Sequence, residues 1–170
     1  ELEMSLFIHP WETMAKDRTP RHNFMYTVGM PSETALAAAS LIWSGVMEKC
    51  PNLKVCFAHG GGSFAYILPR LDQGWEVWPQ MRLTEHPPSY YAKKFYFDSL
   101  VYDKDNFAFL LERFGHDKII MGSDYPFLLR EINPGKVVEE SLQLSDEVKR
   151  AVLGENALQF LNLAKSGVSK

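Results

Sequence analysis

Short apolar runs alternate along the chain with longer segments in which apolar residues recur at helical spacing. This alternation is typical of α/β folds, in which each strand is followed by a helix. Because 55–58 and 119–121 are continuously apolar, the strands are expected to be parallel and buried on both faces. The predicted strands are 6–9, 54–59, 95–99 and 118–124.

A helix is predicted after each strand. The first, at 35–49, is expected to follow Ser32 as its N-cap residue. Four strand–helix units in a single domain, 1–170, make half of a (β/α)8 barrel, whose open edges another chain or further strands would have to cover. A self-contained doubly wound sheet is the alternative. The remaining predicted helices are 64–71, 104–114, 136–142, 146–153 and 155–161.

Polar residues end the predicted strands, namely His9, His59, Asp98 or Ser99, and Asp124. In both candidate folds, ligands bind beyond the carboxyl ends of the strands. Taken singly, His9 also fits a structural histidine and Asp124 a turn-forming residue. Three glycines follow His59 and let a ligand approach the backbone closely, which suits an acid–base role for that imidazole. Two histidines and an aspartate at one edge together indicate a metal site.

Composition and charge narrow the class of protein. The content of 46% hydrophobic and 23% charged residues is ordinary for a soluble globular domain. A net charge of -3 argues against a nucleic-acid partner, and no apolar run approaches the roughly 18 residues that span a bilayer. Cys50 and Cys56 are expected to be two buried free thiols, as in a cytoplasmic protein. Because the chain does not begin with Met, we expect a fragment.

Four segments in a fixed order carry a family resemblance: Phe7-Ile-His-Pro-Trp11, Val28-Gly-Met-Pro-Ser-Glu-Thr34, Lys54-Val-Cys-Phe-Ala-His-Gly-Gly-Gly62 and Gly122-Ser-Asp-Tyr-Pro-Phe127. Together they resemble the C-terminal half of the aminocarboxymuconate-semialdehyde decarboxylase family, which belongs to the amidohydrolase superfamily. The resemblance runs from Phe7 to about Leu163. It implies the C-terminal half of a distorted (β/α)8 barrel with a zinc ion at its mouth.

The resemblance also implies roles for individual residues. His9 and Asp124 match two metal ligands, and His59 matches the catalytic acid–base histidine. Arg70 matches an arginine that reaches into a partner subunit and holds a substrate carboxylate, which implies a homodimer. Phe127 matches an aromatic wall of the substrate site, and Trp11, two residues after His9, is a further candidate for binding the substrate. The implied reaction is non-oxidative decarboxylation of 2-amino-3-carboxymuconate semialdehyde, or a related carboxylate, in the kynurenine pathway of tryptophan catabolism.

Two departures from the family pattern leave alternatives open. The chain has no His-x-His motif, which in the family completes the metal site, and Asn23 stands where a substrate-facing tryptophan is expected. The isolated histidines 22, 86 and 116 are expected in loops or at a helix end. A metal-dependent amidohydrolase or a hydroxybenzoate decarboxylase would use the same scaffold. A truncated, non-catalytic chain that only pairs with other chains is the alternative from another class, because the fragment alone is expected to be inactive.

Overall fold

Four parallel strands form one sheet in a computed structural model that describes residues 4–163. Their order in the sheet is their order in the chain, and the register pairs Phe7 with Cys56, Phe57 with Phe97, and Asp98 with Ile120. The strands are β1 Leu6–Ile8, β2 Val55–Phe57, β3 Tyr96–Asp98 and β4 Ile119–Ile120. Each strand lies inside a predicted run. A doubly wound sheet reverses its strand order, so the sequential order favours part of a (β/α)8 barrel and confirms the predicted fold class.

Helices follow every strand, as the sequence predicts, although several bounds differ. Helix α5 (Lys104–Phe114) has the predicted bounds, and the side chain of Asp103 caps it by accepting hydrogen bonds from two backbone amides. The other helices are α1 Met30–Trp43, α2 Val46–Lys49, α3 Phe64–Val77, α4 Pro88–Ala92, α6 Lys136–Glu139, α7 Asp146–Arg150 and α8 Asn156–Phe160.

Three helix predictions are wrong in detail. Ser32 does not cap α1, because a π-helical turn, Met25–Gly29, already leads into the helix and the Ser32 hydroxyl donates to the Val28 carbonyl. The predicted helix 35–49 is broken at Gly45, whose φ of 74° is left-handed. The two last predicted helices are joined, because the π-helical turn Ala151–Glu155 continues α7 into α8.

Aromatic side chains pack the sheet against α1, α3 and α5. Phe57, Phe64 and Phe97 are fully buried, and the Phe97 ring stacks on Phe114 at a centroid distance of 4.1 Å. Burial of each such ring stabilises the fold by about 1.5–3 kcal/mol. On the opposite face of the sheet, Tyr96 packs against Phe160 of α8. The carboxyl ends of the strands are therefore held by a rigid apolar layer.

The two cysteines differ from the expectation in one case. Cys56 on β2 is fully buried, and this burial raises the pKa of its thiol. The negative charge of the nearby Asp98 carboxylate raises the pKa further. Cys50 is exposed because it ends α2 directly before Pro51, outside the sheet. Both are free thiols. Within 4–163, no helix has the length and apolar character needed to cross a membrane.

Candidate metal centre

His9, His59 and Asp124 meet at the carboxyl ends of β1, β2 and β4. Asp124 Oδ1 lies 3.2 Å from His9 Nε2 and 3.4 Å from His59 Nε2. The two imidazole rings meet edge to face with centroids 4.8 Å apart. The Asp124 side chain is 9% exposed and the His59 side chain 13%, whereas His9 is 31% exposed. The sheet thus brings together the three residues that the sequence placed at strand ends.

The spacing of these atoms fits a small divalent cation. One ligand atom from each of the three side chains lies within 4.8 Å of the others. Two ligands bound tetrahedrally at about 2.0–2.1 Å from one ion are about 3.3–3.4 Å apart, close to the separations of Asp124 Oδ1 from both imidazole nitrogens. Nitrogen and carboxylate donors of this kind bind zinc and other first-row divalent metals. Among residues 4–163, this is the one cluster of His, Cys, Asp or Glu with such spacing.

The backbone around His59 is held in an unusual conformation. His59 has a φ of 58°, and the next residue, Gly60, has a φ of 59°. Non-glycine residues rarely adopt left-handed conformations, because the Cβ atom crowds the backbone. Such conformations persist where the surrounding structure enforces them, and they cluster at functional sites. The turn presents the His59 ring towards Asp124.

Asp98, at the end of β3, enforces this turn. Its Oδ1 accepts hydrogen bonds from the backbone amides of Gly60 (2.8 Å) and Leu100 (3.1 Å). Burial raises the pKa of the Asp98 carboxyl, against the lowering effects of the Gly60 amide and of the His59 side chain. A Cβ atom at Gly122 would lie 2.6 Å from Asp98 Cβ, so a glycine is needed there. Asp98 is therefore a structural clamp that joins the ends of β2, β3 and β4.

The His59 ring has one nitrogen without a protein partner. Its Nδ1 is buried and has no hydrogen-bond partner among the described residues. Histidines that bind metals almost always donate from their second nitrogen to a carbonyl or carboxylate, which fixes the tautomer. His59 lacks that restraint.

Phe127 closes one side of the cluster. Its ring stacks on His9 with a centroid distance of 5.6 Å and an interplanar angle of 16°. The backbone amide of Phe127 donates to the carbonyl of Asp124 at 2.9 Å, so the turn after β4 places the ring directly over the site. The Tyr125–Pro126 peptide bond in this turn is cis. Phe127 keeps 47% exposure, which leaves an aromatic surface open to a ligand.

Arg70 and Trp11 are not part of the cluster. Arg70 is exposed on α3 and lines an open apolar groove of 660 Å³ together with Trp43, Leu71 and Trp78. Trp11, two residues after His9, is 73% exposed and has no ring stacked on His9 or Phe127 in the described part of the chain. The substrate-binding role of both residues stays a prediction.

The other histidines lie outside the cluster. His22 packs near Phe24 at 5.4 Å, His86 lies against Tyr90 at 4.1 Å, and His116 is exposed. Asn23 is exposed in the loop after β1, with a φ of 55°. None of them supplies a ligand atom to the His9, His59 and Asp124 cluster.

Sequence reasoning missed Tyr102, which lies in the loop after β3. Its hydroxyl donates to the carbonyl of Leu129 at 2.9 Å. Burial raises the pKa of the Tyr102 phenol, and the carboxylates of Asp124, Asp98 and Glu131 raise it further. No sequence signal marks this residue, because its partner is a backbone carbonyl on a distant loop.

Comparisons with known proteins identify the family. The sequence profile of the amidohydrolase family matches residues 1–163. The chain is 45% identical, over 96% of its length and 46% of the relative, to 2-amino-3-carboxymuconate-6-semialdehyde decarboxylase from Dictyostelium discoideum. It is 37% identical to the Caenorhabditis elegans protein of the same name, over 96% of this chain and 41% of that protein. The chain spans about half the length of the curated relatives it matches.

A solved structure shares the fold. The 5-carboxyvanillate decarboxylase LigW from Sphingomonas paucimobilis superposes with a TM-score of 0.83 at 22% identity, over 94% of this chain and 50% of that one. At this identity the likeness concerns the fold alone. The family match covers every strand of the sheet, every described helix and all three residues of the cluster. The chain belongs to the amidohydrolase family.

Proposed function

We propose that this chain works in a metal-dependent, non-oxidative decarboxylase of 2-amino-3-carboxymuconate semialdehyde or a closely similar carboxylate, in the kynurenine pathway of tryptophan catabolism. The observation that carries the proposal is the meeting of His9, His59 and Asp124 at one end of the sheet. The Dictyostelium relative, which bears the name of this activity, supports the choice of substrate. Because the chain covers 46% of that relative, turnover is proposed for an assembly that also contains the unmatched residues.

Two residues hold the metal in this proposal, and the third handles the proton. His9 and Asp124 are the proposed ligands, because they match the metal ligands of the family resemblance and their donor atoms lie 3.2 Å apart. His59 is the proposed acid–base group, because it matches the acid–base histidine of the family resemblance and its Nε2 lies 3.4 Å from Asp124 Oδ1, beside the metal site. Zinc is the proposed ion; another divalent ion would suit the same donors. When bound, the metal supplies a Lewis acid that lowers the pKa of water.

The reaction needs a proton at the carbon that bears the departing carboxylate. His59 Nε2 delivers this proton, and the electrons of the breaking carbon–carbon bond stay on that carbon while carbon dioxide leaves. The product carries hydrogen where the substrate carried the carboxylate, so no redox cofactor is required. His59 is mostly shielded from solvent, which keeps the proton at the site.

Aromatic and cationic side chains complete the proposed substrate site. Phe127 offers its open ring face beside His9. Trp11, exposed in the loop after β1, is proposed to contact the substrate when it binds. Arg70, exposed on α3 away from the cluster, holds a substrate carboxylate in the site of a partner subunit. The role of Arg70 implies a homodimer, and the two free cysteines support the proposal of a cytoplasmic location.

Release of carbon dioxide tests the proposal. The chain is assayed alone and after co-expression with the residues of the Dictyostelium relative that lie outside the match, with zinc or manganese added after chelation. The substrate panel contains 2-amino-3-carboxymuconate semialdehyde, a dihydroxybenzoate and an amide. Metal-dependent release from the first substrate supports the proposal.

Each other outcome points elsewhere. Turnover of the dihydroxybenzoate alone would replace the proposed substrate by a phenolic acid. Turnover of the amide alone would indicate a hydrolase. Absence of turnover in every assembly, with metal bound, would reject the catalytic proposal.

A further inference from the structure

The ends of three strands share a backbone feature. His59, Tyr102 and Asp124 follow β2, β3 and β4, and their φ values of 58°, 60° and 59° are left-handed. Two of these three residues belong to the proposed reaction site. Strained residues of this kind cluster at functional sites, because the surrounding structure must hold them in place. The proposed reaction gives the third residue, Tyr102, no role.

The conformation of Tyr102 is held from its C-terminal side. The next residue, Asp103, caps α5 by accepting hydrogen bonds from Asp105 (2.9 Å) and Asn106 (3.1 Å). Tyr102 as a whole residue is 61% exposed, so packing in the core does not explain its left-handed backbone. The strained backbone instead directs the ring across to the loop after β4, where its hydroxyl meets Leu129.

The loop at 125–130 has few other anchors. Its internal bonds run from the Phe127 amide to Asp124 and from the Arg130 amide to Phe127. Among the described residues, Tyr102 makes the one hydrogen bond that reaches this loop from another part of the chain. Partial burial, and after it the nearby carboxylates, raise the pKa of the Tyr102 phenol, so the hydroxyl remains a donor. The Phe127 ring, which stacks on His9, lies between the bonded ends of the loop.

We propose that Tyr102 is a positioning residue of the decarboxylation site, whose hydroxyl holds the loop at 125–130 so that Phe127 stays stacked on His9. This inference rests on the proposed function. Tyr102 acts through Phe127 and not through Asp124, because its partner Leu129 lies two residues from Phe127, whereas the Asp124 side chain is bonded to His9 and His59. Loss of the hydroxyl therefore loosens the aromatic wall and leaves the metal ligands in place.

Tyr102→Phe tests this role, with Tyr66→Phe as the matched control. Tyr66 is 82% exposed on α3, and the substitution there also removes one hydroxyl. In the assembly that turns over substrate, Tyr102→Phe is expected to raise KM roughly twofold to tenfold, the factor that one hydrogen bond contributes. The kcat and the affinity for zinc are expected to stay within a factor of about two, because no catalytic group moves.

Hydrogen exchange gives a readout that does not depend on turnover. In the Tyr102→Phe chain, the amides of Phe127 and Arg130 should exchange faster than in wild type, whereas amides of α5 should not change. The proposal would be overturned if the amides of Phe127 and Arg130 exchanged at the same rates in Tyr102→Phe as in wild type, or if KM did not change. A parallel loss of zinc affinity and kcat would overturn it too, since it would show general damage. If the wild type never releases carbon dioxide, the proposed function fails, and the exchange experiment alone decides whether Tyr102 holds the loop.

Discussion

Phe57 and His59 are two residues apart, yet they belong to two regions with opposite properties. Phe57 is fully buried and meets Phe95 edge to face at 4.9 Å. His59 has a left-handed backbone, and its buried Nδ1 has no partner among the described residues. The apolar layer consists of buried side chains in ordinary packing contacts. The site instead contains a left-handed non-glycine residue and a buried nitrogen without a described partner. Departures from local rules that packing enforces nearby are expected where a protein carries out chemistry.

The largest effect is expected for His59→Ala, which should reduce activity and leave stability unchanged. Loss of the acid–base group should reduce turnover by about 10²–10⁴-fold in the active assembly, while bound zinc and the thermal midpoint stay close to wild type. Steady-state kinetics measure the turnover, metal analysis measures the bound zinc, and thermal unfolding gives the midpoint. His116→Ala, which changes an exposed histidine, is the control. Turnover retained by His59→Ala would remove the acid–base role.

Phe97→Ala should show the reverse pattern. Phe97 is fully buried and packs on Phe64 and Phe114, so truncation leaves a cavity. The free energy of unfolding is expected to fall by about 3–5 kcal/mol in urea titrations. Phe97→Leu, which keeps most of the volume, should lose less. A loss below about 1 kcal/mol for Phe97→Ala would mean that the aromatic layer does not hold the sheet.

Asp124→Asn separates charge from shape within the site. Asn tolerates the left-handed backbone at this position, so the fold should be retained. Loss of the negative ligand is expected to weaken zinc affinity by about 100-fold or more, since even outer-shell changes cost 10–100-fold. Isothermal titration of zinc into the chain measures the affinity, and Asp105→Asn, at an exposed position of α5, is the control. An unchanged affinity would place the metal elsewhere.

Arg70→Ala asks whether the site extends beyond this cluster. A lost charge-assisted bond to a substrate carboxylate should raise KM roughly tenfold to a hundredfold with kcat less affected. The next test uses dimers that pair an Arg70→Ala chain with an inactive His59→Ala chain. If Arg70 serves the partner's site, one of the two sites in such a dimer is intact and active. If Arg70 serves its own site, neither site is intact. Arg113→Ala on α5 is the control. If mixed dimers behave as the average of the two parents, the shared site is wrong.

The smallest effect is expected at Glu48, far from the site. The hydroxyl of buried Tyr91 donates to the Glu48 carboxylate and lowers its pKa, with smaller contributions from the Glu85 amide and neighbouring cations. A lowered pKa in the folded state means that this contribution is present above the ordinary pKa of a glutamate and is lost as pH falls through the lowered value. Glu48→Gln should therefore flatten the acid limb of the stability curve slightly.

Unfolding followed across an acid titration measures this change. Glu112→Gln, at an exposed position of α5, serves as the matched control. An identical acid limb in wild type and Glu48→Gln would show that the bond to Tyr91 does not alter the carboxylate in solution.

Predictions from the sequence succeed where a local pattern has one physical cause. The continuous apolar runs around Val55 and Ile119 predict buried parallel strands, and the structure confirms them. They fail where two causes compete. Ser32 has the chemistry of an N-cap, but the preceding π-helical turn already supplies the start of α1. Gly45 breaks a segment of uniform helical spacing, because a left-handed glycine ends α1 before the last apolar residues.

The sequence by itself determined that polar residues follow apolar strands, and in parallel strands this order is enough to bring His9, His59 and Asp124 to one edge. Only the tertiary structure decided the strand order, the left-handed turns at His59 and Asp124, and the bond from Tyr102 to Leu129. Strand ends are set by hydrophobic pattern, which is local. Distances between loops depend on packing and backbone hydrogen bonds between distant residues, which no local pattern encodes.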